Sequence, residues 1–253
     1  MKEKERIPKV IHYFWFGGKQ KPKLAEKCIA SWKKYCPDYE IKEWNENNFD
    51  VSICDYAKEA YEAKKWAFVS DYARLWVVYN YGGVYLDTDV ELIKSLDEIL
   101  YNEAFFASED NRSVSSGLGF GARQHNSLVK YLLDEYESIH FRRDDGSLDL
   151  TPCPIRQTRR LEAKYNKFKL DDKVISFDNT VFYPKEYFCP FDPNTRTLHK
   201  TNNTIAIHWF AGSWQTKKTR LKYFLINLPK THAYRLLIKL IGEKRYSNLR
   251  RRK

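Results

Sequence analysis

Tyr81-Gly-Gly-Val-Tyr-Leu-Asp-Thr-Asp89 is the stretch on which the reading of this chain turns. From about Ile53 to Asn80 the residues follow a helical pattern, long enough for two helices. Gly82-Gly83 stops it, as glycines do just past a helix end. Val84-Tyr-Leu86 is then a short apolar run of the kind that forms a buried strand. Asp87 and Asp89 stand immediately beyond it, where the chain leaves the sheet and meets solvent. In an extended segment residues i and i+2 project to the same side, which predicts two carboxylates presented together. Two hard oxygen donors so placed suit Mn²⁺ or Mg²⁺. An Asp-x-Asp alone is common in solvated turns, so the surroundings decide what it means.

Working outward, Ile7-Pro-Lys-Val-Ile-His-Tyr-Phe-Trp-Phe16 is rich in β-branched and aromatic residues and stops at Gly17-Gly18, a first strand and its turn. Pro22 to about Tyr35 reads as a helix and Tyr39–Trp44 as a second strand. Further short strands are expected at Ala104–Ser108, Gly117–Gly121, Lys173–Phe177 and Ile205–Trp209, with a helix at about Ser127–Ser138. Strand followed by helix, repeated, predicts an α/β sandwich whose binding site lies at the carboxyl ends of its strands. Nothing repeats internally and no low-complexity linker interrupts the body, so residues 1–215 are expected to form one domain.

The composition (253 residues, 43% hydrophobic, 30% charged) supports a sizeable core and excludes general disorder. Five cysteines form neither a disulfide framework nor a metal-type cluster, which points to a reducing compartment. The charged start Met1-Lys-Glu-Lys-Glu-Arg6 leads into no signal-like apolar run, and no transmembrane stretch is present. The expectation is a cytoplasmic protein.

The formal net charge of +11 is not spread evenly. Residues 216–253 carry 13 Lys and Arg against one acid, Glu243, whereas positions 1–215 hold 31 basic and 32 acidic residues. The excess belongs to a C-terminal appendage rather than to the body, which argues against a nucleic-acid enzyme with a basic active-site face. Within that tail Ala233, Leu236, Leu237, Leu240 and Ile241 share one helical face, and Arg250-Arg-Arg-Lys253 closes the chain. Such a helix fits an anionic membrane surface, its stripe among acyl chains and its cations on headgroups. The other reading is a helix packed on the domain with a solvated basic end.

Two further constellations surround the acidic pair. Asp71 and Arg74 are three apart on the upstream helix and share a face. An acid beside a guanidinium can bond the vicinal hydroxyls of a sugar, or simply form a helical ion pair. Near the C-terminal side, Ile205-Ala-Ile-His-Trp-Phe-Ala-Gly-Ser-Trp214 offers an imidazole after a strand, then a hydroxyl and an indole N–H. His208 could complete an octahedral metal site or sit satisfied in the core.

Together Ile7–Gly18, Phe68-Val-Ser-Asp-Tyr-Ala-Arg74, Tyr81–Asp89 and His208–Trp214 resemble the successive motifs of glycosyltransferase family 32. That group includes bacterial capsular and exopolysaccharide transferases and fungal Golgi mannosyltransferases, and is related in its core to the clostridial glucosylating toxins. The resemblance spans about residues 7–214. It implies a GT-A fold, a Rossmann-like α/β nucleotide-sugar-binding domain, with the basic helical appendage at 216–253 added. It further implies that Trp15 flanks the nucleotide base, with Phe14 beside it and mainly in the core. Asp71 and Arg74 would hold donor-sugar and ribose hydroxyls. Asp87 would contact ribose and metal-bound water, Asp89 would ligate Mn²⁺ (or Mg²⁺), and His208 would add a metal-side ligand. Ser213 and Trp214 would clasp the departing phosphate. Ser115-Ser-Gly-Leu-Gly-Phe120 stands where relatives often carry an Asn, and Thr151-Pro-Cys-Pro154 departs from a Gly-Pro pattern.

The expected activity is therefore metal-dependent transfer of a sugar from a nucleotide-diphosphate sugar, a UDP-sugar by preference, to a saccharide or lipid-linked oligosaccharide acceptor. By the same resemblance the reaction retains anomeric configuration and serves bacterial surface-polysaccharide synthesis, the enzyme lying peripherally at the inner face of the membrane. Two rivals differ in class. A metal-dependent phosphoesterase acting on nucleic acid would need several more converging acids than the sequence offers. A non-catalytic, transferase-derived adaptor would have little reason to keep Asp71, Arg74, Asp87, Asp89, Ser213 and Trp214 together.

Overall fold

The computed structural model describes residues 6–212 together with Leu236 and Leu240. The described chain divides into two compact units, residues 6–190 with 200–208, and 191–199 with 209–212.

In chain order the larger unit runs β1 (Val10–Phe14), α1 (Lys23–Tyr35), β2 (Glu40–Trp44), α2 (Asp55–Glu62), α3 (Trp66–Tyr81), β3 (Gly83–Tyr85), β4 (Val90–Leu92), β5 (Ala104–Asp110), β6 (Ser113–Val114), β7 (Phe120–Ala122), α4 (Ser127–Glu137), α5 (Cys153–Lys164), β8 (Ile175–Phe177), β9 (Thr180–Tyr183) and α6 (Lys185–Phe188). The smaller unit contributes β10 (Phe191–Asp192) and β11 (Thr197–Leu198), an antiparallel pair, and its Phe191 and Trp209 rings lie 5.3 Å apart. β12 (Ala206–His208) returns to the larger unit.

A mixed sheet in the order β2-β1-β3-β7-β5-β9-β8, with β6 on β5, forms the centre. β1 pairs in parallel with β2 on one side and β3 on the other. β7 is antiparallel to both β3 and β5, and β9 runs parallel to β5. A separate two-stranded ribbon joins β12 and β4, placing His208 opposite Val90. The chain leaves β1 towards β2 and comes back on its other side as β3. Strand order therefore reverses at β1, and such a reversal opens a crevice beyond the carboxyl ends of the parallel strands.

Local chemistry explains most elements. The central helix α3 buries Val69, Tyr72, Ala73, Leu75, Val77 and Val78, and so reads as apolar over most of its surface. It ends at Gly82-Gly83, whose φ angles of +66° and +102° exclude ordinary side chains. A Cβ on Gly83 would lie 2.8 Å from the Val10 carbonyl oxygen, so the turn needs glycine for space as well as for conformation. Within β1 the buried His12 bridges three segments: Trp44 Nε1 donates to its Nδ1 at 3.1 Å, and its Nε2 lies 2.8 Å from the Gly82 carbonyl. That pattern fixes a neutral imidazole with the proton on Nε2, and burial lowers the pKa to about 4. On the ribbon side, Trp32 of α1 donates to the Val90 carbonyl at 2.7 Å and Ser31 Oγ accepts from Leu92 N at 2.9 Å.

The structure departs from the sequence reading at several points. The long helical stretch is indeed two helices, but Lys64 at φ +55° and Lys65 separate them. The strand expected at Gly117–Gly121 begins only at Phe120, because Ser115–Gly119 forms a turn with Gly119 at φ +149°. The strand after the acidic pair (β4) and β9 were not anticipated. Nor was α5, whose start carries two prolines. The expected tail helix lies outside the described residues apart from Leu236 and Leu240, which are helical and exposed.

All five cysteines are buried and none is in a disulfide, in keeping with the sequence expectation. Among the described residues no helix is long and apolar enough to cross a membrane.

Candidate active site

Asp71, Arg74, Asp87, Asp89 and His208 come together beyond the carboxyl ends of β1 and β3. α3 presents Asp71 and Arg74 on one face, both buried at 6% and 3% exposure. Arg74 is held from several directions. Its Nε donates to the Ser70 carbonyl at 2.9 Å, and its Nη2 lies 3.1 Å from Asp71 Oδ1 and 3.4 Å from Asp87 Oδ1. Nη1 donates to Cys153 Sγ at 3.7 Å, and the guanidinium sits 4.9 Å over the Tyr85 ring. Tyr85, two residues before Asp87 and on the same side of the strand, donates its hydroxyl to Asp87 Oδ1 at 2.7 Å. The helical pair read from the sequence is thus part of an acid–arginine–acid cluster, buried at Asp71 and Arg74 and partly exposed at Asp87, that reaches from α3 to the end of β3.

The expected side-by-side presentation of Asp87 and Asp89 on an extended strand is not what forms. β3 ends at Tyr85, and the Val90 N–H donates to the Asp87 carbonyl at 3.0 Å, closing a turn over residues 87–90. The turn sends Asp87 to Arg74 and Tyr85, and Asp89 to His208, whose Nε2 lies 3.3 Å from Asp89 Oδ1. The two carboxylates still feel one another. Burial, then repulsion from Asp89, pushes the Asp87 pKa up against the pull of Arg74. Burial likewise raises Asp71 to about 6, with Arg74 opposing. For His208 burial works against the charge, but the Asp89 carboxylate outweighs it and holds the imidazole well above its ordinary range. His208 is thus paired with Asp89, and its imidazole stands beside the acid expected to hold the metal.

The donor set fits a divalent cation. Among the described residues no group of three or more His, Cys, Asp or Glu side chains converges to enclose an ion by protein ligands alone. Mg²⁺ and Mn²⁺ sites in phosphate-binding proteins do not need such a cage, since one or two carboxylates suffice with water and substrate phosphates. Asp87 and Asp89 offer those carboxylates. Asp71, Asp87 and Asp89 stand around the single guanidinium of Arg74, so a cation would offset the repulsion between Asp87 and Asp89.

The remaining predicted residues separate. Trp15, just past β1, is half-buried, with Lys21 5.8 Å over its ring. Phe14 is taken up by the core, stacked on Phe16 at 5.2 Å and against Phe49 and Trp44, so its ring is committed to packing rather than to a donor. Ser213 and Trp214 lie outside the described residues. Four residues with no assigned role in the sequence reading also belong to the site: Tyr85, Gly117, Cys153 and Glu109. The Asp87 N–H donates to the Gly117 carbonyl at 3.0 Å, and a Cβ on Gly117 would lie 2.3 Å from Asp87 Oδ2. The Glu109 carboxyl, raised by burial, faces the charge of His208. Gly117 and Cys153 fall inside the two segments, Ser115–Phe120 and Thr151–Pro154, whose departures from the family pattern were visible. Tyr85 could have been found from its i−2 spacing to Asp87.

Comparison with known proteins agrees with this geometry. Residues 22–106 match the family described as the glycosyltransferase sugar-binding region containing the DXD motif. Inositol phosphoceramide mannosyltransferase 3 of Schizosaccharomyces pombe is 27% identical over 136 residues, 49% of this chain and 36% of the yeast protein. The matched region thus spans little more than a third of that relative. An uncharacterized glycosyltransferase of Acanthamoeba polyphaga mimivirus is 22% identical over 213 residues, 78% of this chain and 82% of the viral one. Among solved structures the PaToxG glycosyltransferase superposes with a TM-score of 0.51 at 20% identity, covering 64% of this chain and 71% of that one. The architecture is thereby the GT-A fold, and residues 22–106 are similar to a glycosyltransferase sugar-binding region containing a DXD motif, with Asp87-Thr88-Asp89 the Asp-x-Asp sequence inside that span.

Proposed function

We propose that this protein is a glycosyltransferase that takes a sugar from a nucleotide-diphosphate sugar, with UDP-sugars favoured, and moves it to a saccharide or lipid-linked saccharide acceptor with retention of configuration. The observation that carries the reading is the Asp71–Arg74–Asp87 cluster at the strand-order reversal between β1 and β3. A buried pair such as Asp71–Arg74 adds little net stability compared with a well-packed apolar replacement. Its placement at the strand ends, beside the partly exposed Asp87, is better explained by a polyhydroxylated ligand. Arg74 cannot lose its proton and is pinned by Ser70, Asp71 and Asp87, so it offers a fixed donor. Asp71, ionised above about pH 6, accepts from hydroxyls. Both position the sugar. Trp15, at the neighbouring strand end, is a half-buried aromatic ring against which a base would stack.

Asp87 and Asp89 would hold the divalent cation, Mn²⁺ by preference, which when bound supplies Lewis-acid stabilisation of the charge on the departing diphosphate. Tyr85 and Gly117 fix Asp87, and His208 fixes Asp89, so the carboxylates are aimed before the donor arrives. The mannosyltransferase relative is named for a lipid acceptor, inositol phosphoceramide, and the basic tail suits an anionic membrane surface. Both support a lipid-borne acceptor at a membrane surface; a cytoplasmic face and a role in surface-polysaccharide synthesis are part of the same proposal. A thermal-shift screen of nucleotide sugars with Mn²⁺ against DNA oligonucleotides tests the reading. Stabilisation by one class of nucleotide sugar is expected; stabilisation by DNA alone would overturn it in favour of the phosphoesterase.

A further inference from the structure

The turn that carries Gly117 is fastened from behind by α5. The Ser116 N–H donates to Gln157 Oε1 at 3.1 Å, and Gln157 Nε2 donates to Ser116 Oγ at 2.7 Å. Both residues are buried, at 0% and 1% exposure, so neither bond is in exchange with water. The next residue, Gly117, accepts from the Asp87 N–H, and its missing Cβ leaves the space that Asp87 Oδ2 fills. One turn earlier on the same helix, Cys153 Sγ accepts from Arg74. α5 itself is anchored by Arg156, whose Nη2 lies 2.6 Å from Asp149 and whose Nη1 lies 3.3 Å from Glu135.

We infer that Gln157 is a positioning residue for the metal-binding acid Asp87, acting through its two-way clamp on Ser116 and the backbone of Gly117. This rests on the reading of Asp87 and Asp89 as the cation-holding pair. The physical reason is stiffness. Asp87 takes its direction from Tyr85, Arg74 and Gly117, and only Gly117 lies on a loop. A loop peptide holds a carboxylate in place only as firmly as it is itself held. Here the amide of Gln157 matches both the donor and the acceptor that Ser116 presents. Hydrogen-bond partners behind a metal ligand typically change metal affinity 10–100-fold when removed.

The neighbouring residue supplies a control within the same helix. Thr158 Oγ1 accepts from the Val114 N–H at 2.9 Å, a buried bond of the same kind that leads to β6 and not to Asp87. The experiment measures Mn²⁺ binding by electron paramagnetic resonance in the presence of UDP, together with thermal stability, for the full chain. Gln157→Leu is expected to weaken Mn²⁺ binding about 10–100-fold. Thr158→Val is expected to lower stability comparably while leaving Mn²⁺ binding unchanged. Ser116→Ala, which removes half the clamp, should fall between wild type and Gln157→Leu, and carries the test if the leucine variant does not fold. Gln157→Glu, which keeps the acceptor for Ser116 N, should recover part of the loss. Unchanged Mn²⁺ binding in Gln157→Leu or in Ser116→Ala, or an equal loss in Thr158→Val, would overturn the inference. Asp89→Asn in the same assay separates the two layers: if it binds Mn²⁺ like wild type, the acid-pair reading itself has failed.

Discussion

Gly117 and Asp87 occupy one another's space: a Cβ added to Gly117 would lie 2.3 Å from Asp87 Oδ2 and 3.0 Å from Arg74 Nη1. Gly117 has no positive φ, so alanine is allowed by its backbone and its whole effect is the collision. Gly117→Ala is expected to push Asp87 out of line and lower sugar transfer about 100-fold, the order of loss a 1 Å misplacement can cause. Stability should drop by about 1–3 kcal/mol, as for overpacking elsewhere. Steady-state kinetics and urea unfolding check the two parts; near-normal turnover would mean that Asp87 is free to move without penalty.

Arg74 is the hub of the cluster, and its geometry as well as its charge is used. Arg74→Ala strands Asp71 in the interior and should cost about 3–5 kcal/mol, the range for breaking a buried pair. Arg74→Lys keeps the charge but not the fork that reaches Asp71, Asp87 and Cys153 together. It should fold, bind donor more weakly and turn over slowly. Calorimetric titration of donor into the lysine variant checks this, and wild-type affinity would show that the fork does not matter.

His12 gives the fold a pH dependence of defined sign. Its pKa is lowered from 6.5 to about 4, chiefly by burial. The unfolded chain therefore takes up a proton near pH 6.5 while the folded chain stays neutral. The stability held by the neutral form is lost as pH falls through that window, by about 2–3 kcal/mol at pH 4.5. His12→Gln can still accept from Trp44 and donate to Gly82 but does not titrate. Urea denaturation from pH 7.5 to 4.5 should show a shallower decline for the glutamine variant; parallel curves would place the acid sensitivity elsewhere.

The basic tail makes a prediction of its own. Truncation after Lys222 removes the segment with the apolar stripe and most of the tail's cations. In flotation with anionic vesicles the full chain should rise with the lipid and the truncated chain should not. Equal partitioning would favour a helix packed on the protein.

The parts of this structure that the sequence made legible are those where one local signal dominates. β1 is a run of β-branched and aromatic residues, and α3 is a long, largely apolar stretch stopped by two glycines. Their packing at the strand-order reversal put the site where an α/β reading expects it. What escaped was governed by contacts distant in sequence. β4 is three residues, one of them Glu91, and exists because β12 pairs with it more than a hundred positions later. α5 follows Pro152 and is strongly polar and rich in Arg, so few apolar residues mark it, and its buried Arg156 is accounted for only by Asp149 and Glu135. The acidic pair is conspicuous in the sequence, but its geometry is not, because the Asp87–Val90 turn replaces the extended strand the spacing suggests. Cys153 and Gly117 were visible as oddities and became intelligible only as neighbours of Arg74 and Asp87.

Donor turnover in wild type and Asp89→Asn tests the central claim most directly. Each common nucleotide sugar is incubated with Mn²⁺, and release of the nucleoside diphosphate is followed for both proteins. Release by the wild type from one class of donor, lost on removing Mn²⁺ and reduced at least about 100-fold in a folded Asp89→Asn variant, is the predicted result. Equal release by the two proteins in the presence of Mn²⁺ would contradict it.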